Sequence, residues 1–88
     1  MKNIKLITYD LIKPEKDYTK LVEAIKSYGS YAHALGSVWF IDSNKSTGEI
    51  RDYLQQFVDG NDKVIVTGVN GWAISNISTK ITSWLKGD

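Results

Sequence analysis

The segment Ser30–Asp42, SYAHALGSVWFID, decides how this chain is read. It is rich in aromatic and β-branched residues and carries a Leu35-Gly36 pair in its middle. Such side chains suit a pleated, half-buried surface, and glycine lets the backbone turn or bulge. We divide it into a short strand, Tyr31 to Ala34, and a longer one, Ser37 to Asp42, with Leu35-Gly36 between them as a tight turn or bulge. One long kinked strand is the alternative.

Upstream, Tyr18, Leu21, Val22, Ile25 and Tyr28 recur at helical spacing. Asp17 is placed to cap the N-terminus of this first helix. Gly29 is placed to adopt the left-handed conformation that ends it. Before the helix, Asn3 to Tyr9 reads as a strand: Ile4, Leu6 and Ile7 are followed by the strand formers Thr8 and Tyr9. Apolar residues on both faces mark it as central. Leu11 to Glu15 is a turn, in which Pro14 prevents continuation of the sheet. Asp10 falls just past the first strand.

Downstream, Ser46 and Glu49 have the spacing of a capping box. Ile50, Tyr53, Leu54, Phe57 and Val58 then share one apolar face of a second helix, which Gly60 ends. Asn61-Asp62 is a turn. Lys63 to Val69 is a β-branched run and reads as a buried strand. After the Asn70-Gly71 turn, Ile77, Ile81, Trp84 and Leu85 share one face of a third helix, with Ser75 or Asn76 as its cap.

The order is β-α-β-β-α-β plus a terminal helix. It defines an α+β fold, the ferredoxin-like βαββαβ sandwich with an added C-terminal helix, as a single domain over residues 1–88. Right-handed crossovers would place the two main helices on one sheet face. The opposite face then needs a cover, from the third helix or a second subunit. Trp39 and Trp72 are the expected members of that second core.

Composition narrows the function. The chain has 88 residues, 42% hydrophobic and 24% charged, which argues against intrinsic disorder. It has no cysteine, which excludes disulfides, thiolate metal sites and cysteine nucleophiles. A small domain without such staples gains stability by oligomerising. The formal net charge of +1 gives no general pull toward nucleic acid. Six lysines (Lys2, Lys5, Lys13, Lys16, Lys20 and Lys26) do gather in the first third, as a solvated face or a phosphate-facing strip. No apolar run spans a bilayer and no signal-peptide core opens the chain, so a cytoplasmic protein without membrane contact is expected. Gly68-Val69-Asn70-Gly71 lacks the spacing and lysine of a phosphate loop and reads as a turn.

Two residues carry candidate chemistry. Asp10 lies near the rim of the sheet. Two such carboxylates facing across a two-fold axis repel, and a Mg²⁺ or Mn²⁺ ion relieves the repulsion and activates water for phosphodiester cleavage. The competing reading is a turn-capping carboxylate. His33, the only histidine, is either a general acid–base or a half-buried hairpin residue. Tyr9 and Ser37 are placed to line the same rim as Asp10, or to serve the sheet and the turn. Asp42, Asp52, Asp62 and Glu49 belong to element ends and helix surfaces.

Several features occur together in a fixed order. They are Tyr9-Asp10-Leu11, Lys13-Pro14, Asp17-Tyr18, Lys26-Ser27-Tyr28-Gly29, His33, Leu35, Ser37, Trp39, Asn61-Asp62-Lys63 and Trp72-Ala73. Together they resemble the small SinR-family proteins, relatives of the CRISPR-associated Cas-two proteins and, more distantly, of VapD-like ribonuclease toxins. The resemblance implies a ferredoxin-like homodimer. It implies that Asp10 matches an aspartate held near the dimer axis, which binds a divalent metal with its twin. It makes Lys13 and Lys16 loose equivalents of backbone-facing basic residues, and Ser37-Val38-Trp39 the match of the family's third-strand segment. The sequence departs from the CRISPR proteins in having Arg51 as its only arginine. Three functions follow as expectations: a metal-dependent nuclease acting through Asp10; a non-catalytic dimeric module for nucleic acid, nucleotide or protein; and a metal-free ribonuclease using His33 or Tyr9.

Overall fold

The computed structural model describes residues 3–11 and 18–87. Along the chain run β1 (Ile4–Asp10), α1 (Thr19–Lys26), β2 (Tyr31–Leu35), β3 (Val38–Asp42), α2 (Thr47–Gln55), β4 (Lys63–Gly68) and α3 (Thr79–Lys86). The four strands form one sheet in the order β2-β3-β1-β4, with every neighbouring pair antiparallel. This is the ferredoxin-like βαββαβ arrangement with a C-terminal helix added.

The hairpin forms as two strands. Its turn is Gly36-Ser37, one residue later than the sequence suggests, and a register shift lies between His33 and Leu35. The irregularity absorbs the extra residue, so Leu35 still pairs with Val38. The capping box of α2 is complete. The Ser46 hydroxyl accepts from the Glu49 backbone N–H at 3.1 Å, and the Glu49 carboxylate accepts from the Ser46 N–H at 3.2 Å. Gly29 sits at φ +90, the left-handed region expected after α1. The structure gives α1 its N-cap at Tyr18, with no side-chain cap bond; Asp17, proposed for that role, lies outside the described residues.

The third helix starts later than expected. Asn76 adopts φ 61, a left-handed backbone that interrupts a helical path. Ser78 therefore becomes the N-cap in place of Ser75 or Asn76, its hydroxyl accepting from the Lys80 N–H at 3.2 Å. Ile77 is left outside the helix.

Strand alternation divides the apolar residues between two cores. Ile7, Trp39 and Ile41 face α1 and α2, where Leu21, Ala24, Ile25, Ile50 and Leu54 complete a buried cluster. Ala32 and Phe40 face the other way and are met by Leu85 of α3, with Ile4, Leu6, Ile81 and Trp84 around them. Trp39 thus belongs to the first core, because it shares a face with Ile41. Trp72 is in neither core and stays 38% exposed. The tryptophan of the second core is Trp84, whose ring lies near-parallel to Phe40 and whose Nε1–H donates to the Ser30 hydroxyl at 3.1 Å.

β4 is an edge strand, not a strand buried on both faces. Val64 and Val66 pack beneath the helices, whereas Ile65 on the opposite face is 60% exposed. The cause is the position of α3, which packs chiefly on β2 and leaves the β4 side of that face uncovered. Among the described residues no helix is long and apolar enough to cross a membrane.

Candidate functional site

Asp10 is the last residue of β1 and is exposed; the strand runs one residue further than the sequence suggests. It pairs in register with Lys63, the first residue of β4. Side chains alternate along a strand, so Asp10 shares its face with Ile4 and Leu6 of the second core and not with Ile7. Thr8 pairs with Ile65 one step along the same face. Asp10 therefore stands at the end of the uncovered part of the sheet, beside an exposed isoleucine and a lysine.

Tyr9 and His33 lie on the opposite face. The Tyr9 hydroxyl accepts a hydrogen bond from the Trp39 Nε1–H at 3.2 Å. His33 stacks on Trp39 with ring centroids 3.8 Å apart and planes 6° from parallel. Its Nε2 is 3.2 Å from the Gly36 carbonyl, which closes the hairpin turn when that nitrogen carries the proton. Tyr31 leans on the other side of the group, 6.0 Å from Trp39, with the Lys26 ammonium 5.9 Å from its own ring centre. The indole at the centre is 2% exposed. This assembly orders the edge of the sheet, and the sheet itself separates His33 from Asp10.

Ser37 sits in the hairpin turn, and its carbonyl accepts from the Tyr9 N–H at 3.3 Å. The backbone thus brings Ser37 to the rim near Asp10, whereas the Tyr9 side chain turns to the helix layer. Lys13 and Lys16 lie outside the described residues. Of the remaining amino-terminal lysines, Lys5 donates to the Ser43 carbonyl at 2.9 Å, so it serves the strand end. Among the described residues no group of three or more His, Cys, Asp or Glu side chains could hold a metal ion.

The other acidic residues have local partners. Asp62 accepts from the Tyr18 hydroxyl at 3.0 Å and from the Asp59 N–H at 2.8 Å, which ties the start of β4 to α1. Asp42 accepts from the Asn3 N–H at 2.9 Å. Asp52 pairs with Arg51 at 2.9 Å on the exposed face of α2.

Sequence reasoning missed a groove between α2 and the Ser27-Tyr28 segment that follows α1. It has a volume of about 530 Å³ and is lined by Ser27, Tyr28, Lys45, Glu49, Tyr53 and Gln56. Tyr53 was expected in the apolar face of α2, yet it is 36% exposed and stands at right angles to Tyr28, ring centroids 6.0 Å apart. A tyrosine where isoleucine or leucine would fill a core was the available signal. Burial pushes the Tyr28 phenol above its usual pKa, with Tyr53 and Glu49 adding to the effect. Hydrogen bonds from the Ser46 backbone and hydroxyl hold the Glu49 carboxyl below its usual value.

No protein-family model matches the sequence. The fold is shared with a solved structure of a hypothetical protein, TT1823, from Thermus thermophilus. The two align with a TM-score of 0.67 and 22% identity over 89% of this chain and 96% of that one.

Proposed function

We propose that this chain acts as a Cas-two-like homodimer on nucleic-acid phosphodiesters, with Asp10 of each copy sharing a divalent cation. The observation that carries this reading is the exposed Asp10 carboxylate at the end of the uncovered sheet face, beside the exposed Ile65. Apposing two such faces about a two-fold axis buries Ile65 and brings the two carboxylates toward each other. Hard oxygen donors suit Mg²⁺ or Mn²⁺, and Mg²⁺ takes one or two carboxylates and completes its shell with water and phosphate. When bound, the ion supplies an activated water and stabilises charge on the phosphate. Asp10 anchors it, and the Lys63 ammonium opposite provides a fixed positive charge for a phosphate oxygen. The ordered resemblance around Tyr9-Asp10 supports the same reading.

The test is incubation of purified protein with labelled RNA and DNA, with Mn²⁺ or chelator, alongside Asp10→Ala. Cleavage that needs metal and disappears in the variant is the expected result. Absence of cleavage by a dimer of sound fold would overturn it.

A second reading is a non-catalytic dimeric binding module for nucleic acid, nucleotide or protein. Lys63 favours it: a cation directly opposite Asp10 in the ladder offsets the negative charge that would attract a metal. Binding of nucleic acid that survives chelation and Asp10→Ala would select this module.

A further inference from the structure

The groove between α2 and the Ser27-Tyr28 segment lies on the helix layer, on the far side of the sheet from Asp10. Ligand pockets commonly enclose roughly 300–1,000 Å³ with apolar rings and a few convergent polar groups. At about 530 Å³ this one falls within that range. Its apolar element is the Tyr28–Tyr53 pair, set at 89°. A right-angled pair presents one ring face and one ring edge to the same space, which suits a planar aromatic guest. Phe57 supports Tyr53 from behind, with centroids 5.3 Å apart at 75°.

The polar groups are distributed around these rings. The carboxylate of Glu49 accepts from the Ser46 N–H at Oε1 with the Ser46 hydroxyl beside it, and its remaining lone pairs can accept from a guest. Gln56 brings an amide, able to donate and accept together, and Lys45 brings an ammonium. The Lys45 charge also helps hold the Glu49 carboxyl in its ionised form. The groove thus offers a stacking surface, a donor–acceptor edge reader, a charged acceptor and one cation.

We propose that this groove binds a mononucleotide whose base carries an exocyclic amine. The base stacks on Tyr53 against Tyr28. Its Watson–Crick or Hoogsteen edge meets the Gln56 amide, the pairing that side-chain amides make with adenine. The exocyclic amine donates to the Glu49 carboxylate. The phosphate takes the Lys45 ammonium. Glu49 disfavours a base that presents a carbonyl at the same position, because two acceptors would then oppose each other. The site is independent of the proposed cleavage centre, and Asp10→Ala leaves it intact.

The test is titration of the isotopically labelled protein with AMP, IMP, adenosine and ribose 5-phosphate, followed by backbone amide shifts. AMP is expected to give saturable shifts at Tyr28, Glu49, Tyr53 and Gln56. Affinity should fall about tenfold or more in Tyr53→Ala, the loss expected for one stacked base. Tyr53→Phe keeps the ring and should retain binding, which separates stacking from folding. Lys45→Met should lower the AMP affinity to that of adenosine, and IMP should bind several-fold more weakly than AMP. Shifts reproduced by ribose 5-phosphate alone, AMP binding untouched by Tyr53→Ala, or no saturable shift into the millimolar range would each overturn the proposal. Because the readout needs no cleavage, its failure is distinct from failure of the Asp10 reading.

Discussion

Asp10 and Lys63 are direct register partners at the last rung of the β1–β4 ladder. The pair joins a central strand to an edge strand at the uncovered end of the sheet. Exposed opposite charges across a ladder contribute little to stability, about 0.2–1 kcal/mol. Asp10→Ala should therefore move the urea midpoint only slightly. The same substitution should abolish metal-dependent cleavage. A large stability loss would make Asp10 a structural residue and remove its variant as a clean probe of function.

The uncovered face makes a separate prediction about assembly. Ile65 is 60% exposed on it. Ile65→Asp should leave the monomer folded, because an exposed apolar side chain adds little to its core. It should dissociate a dimer built on this face, as read by light scattering over a concentration series. A dimer that persists in Ile65→Asp would place the interface elsewhere.

The His33–Trp39 stack predicts a division of labour. His33→Ala should cost about 0.5–1.5 kcal/mol, the contribution of an aromatic pair beyond simple burial. Trp39→Ala should cost about 3–5 kcal/mol, since it removes a buried indole and leaves a cavity. Neither residue shares a sheet face with Asp10, so metal-dependent cleavage per folded molecule should survive His33→Ala. Chelator-insensitive cleavage lost in His33→Ala would point instead to a metal-free ribonuclease.

The α2 capping box predicts a pH effect of defined sign. Glu49 is held below its usual pKa, first by the Ser46 backbone hydrogen bond and then by the Ser46 hydroxyl. A depressed carboxyl pKa adds stability above the unfolded value, about 4.3, and that stability is lost as pH falls through the folded value. Wild type should exceed Glu49→Gln in stability at neutral pH, and the difference should shrink below about pH 4. Ser46→Ala should cost about 1 kcal/mol at neutral pH through loss of the cap. Both are read from denaturation midpoints across pH.

The sequence by itself determined the order of elements and several of their ends. Ser46 and Glu49 named the start of α2, Gly29 the end of α1, and the Ser30–Asp42 segment a hairpin, because caps, turns and strand preference act over a few residues. It also picked out Asp10, from its place after a strand with apolar residues on both faces. Tertiary structure decided what those local signals leave open. Which face Trp39 takes depends on strand register, and a shift of one residue exchanges the faces. The exposure of Ile65 depends on where α3 docks, and the groove at Tyr53 on how the Ser27-Tyr28 segment sits against α2. Asp10 meets Lys63 only because residues far apart in the chain pair across a ladder. Residue preferences report a side chain's own backbone, whereas a site is made where distant backbones meet, and that is set by packing.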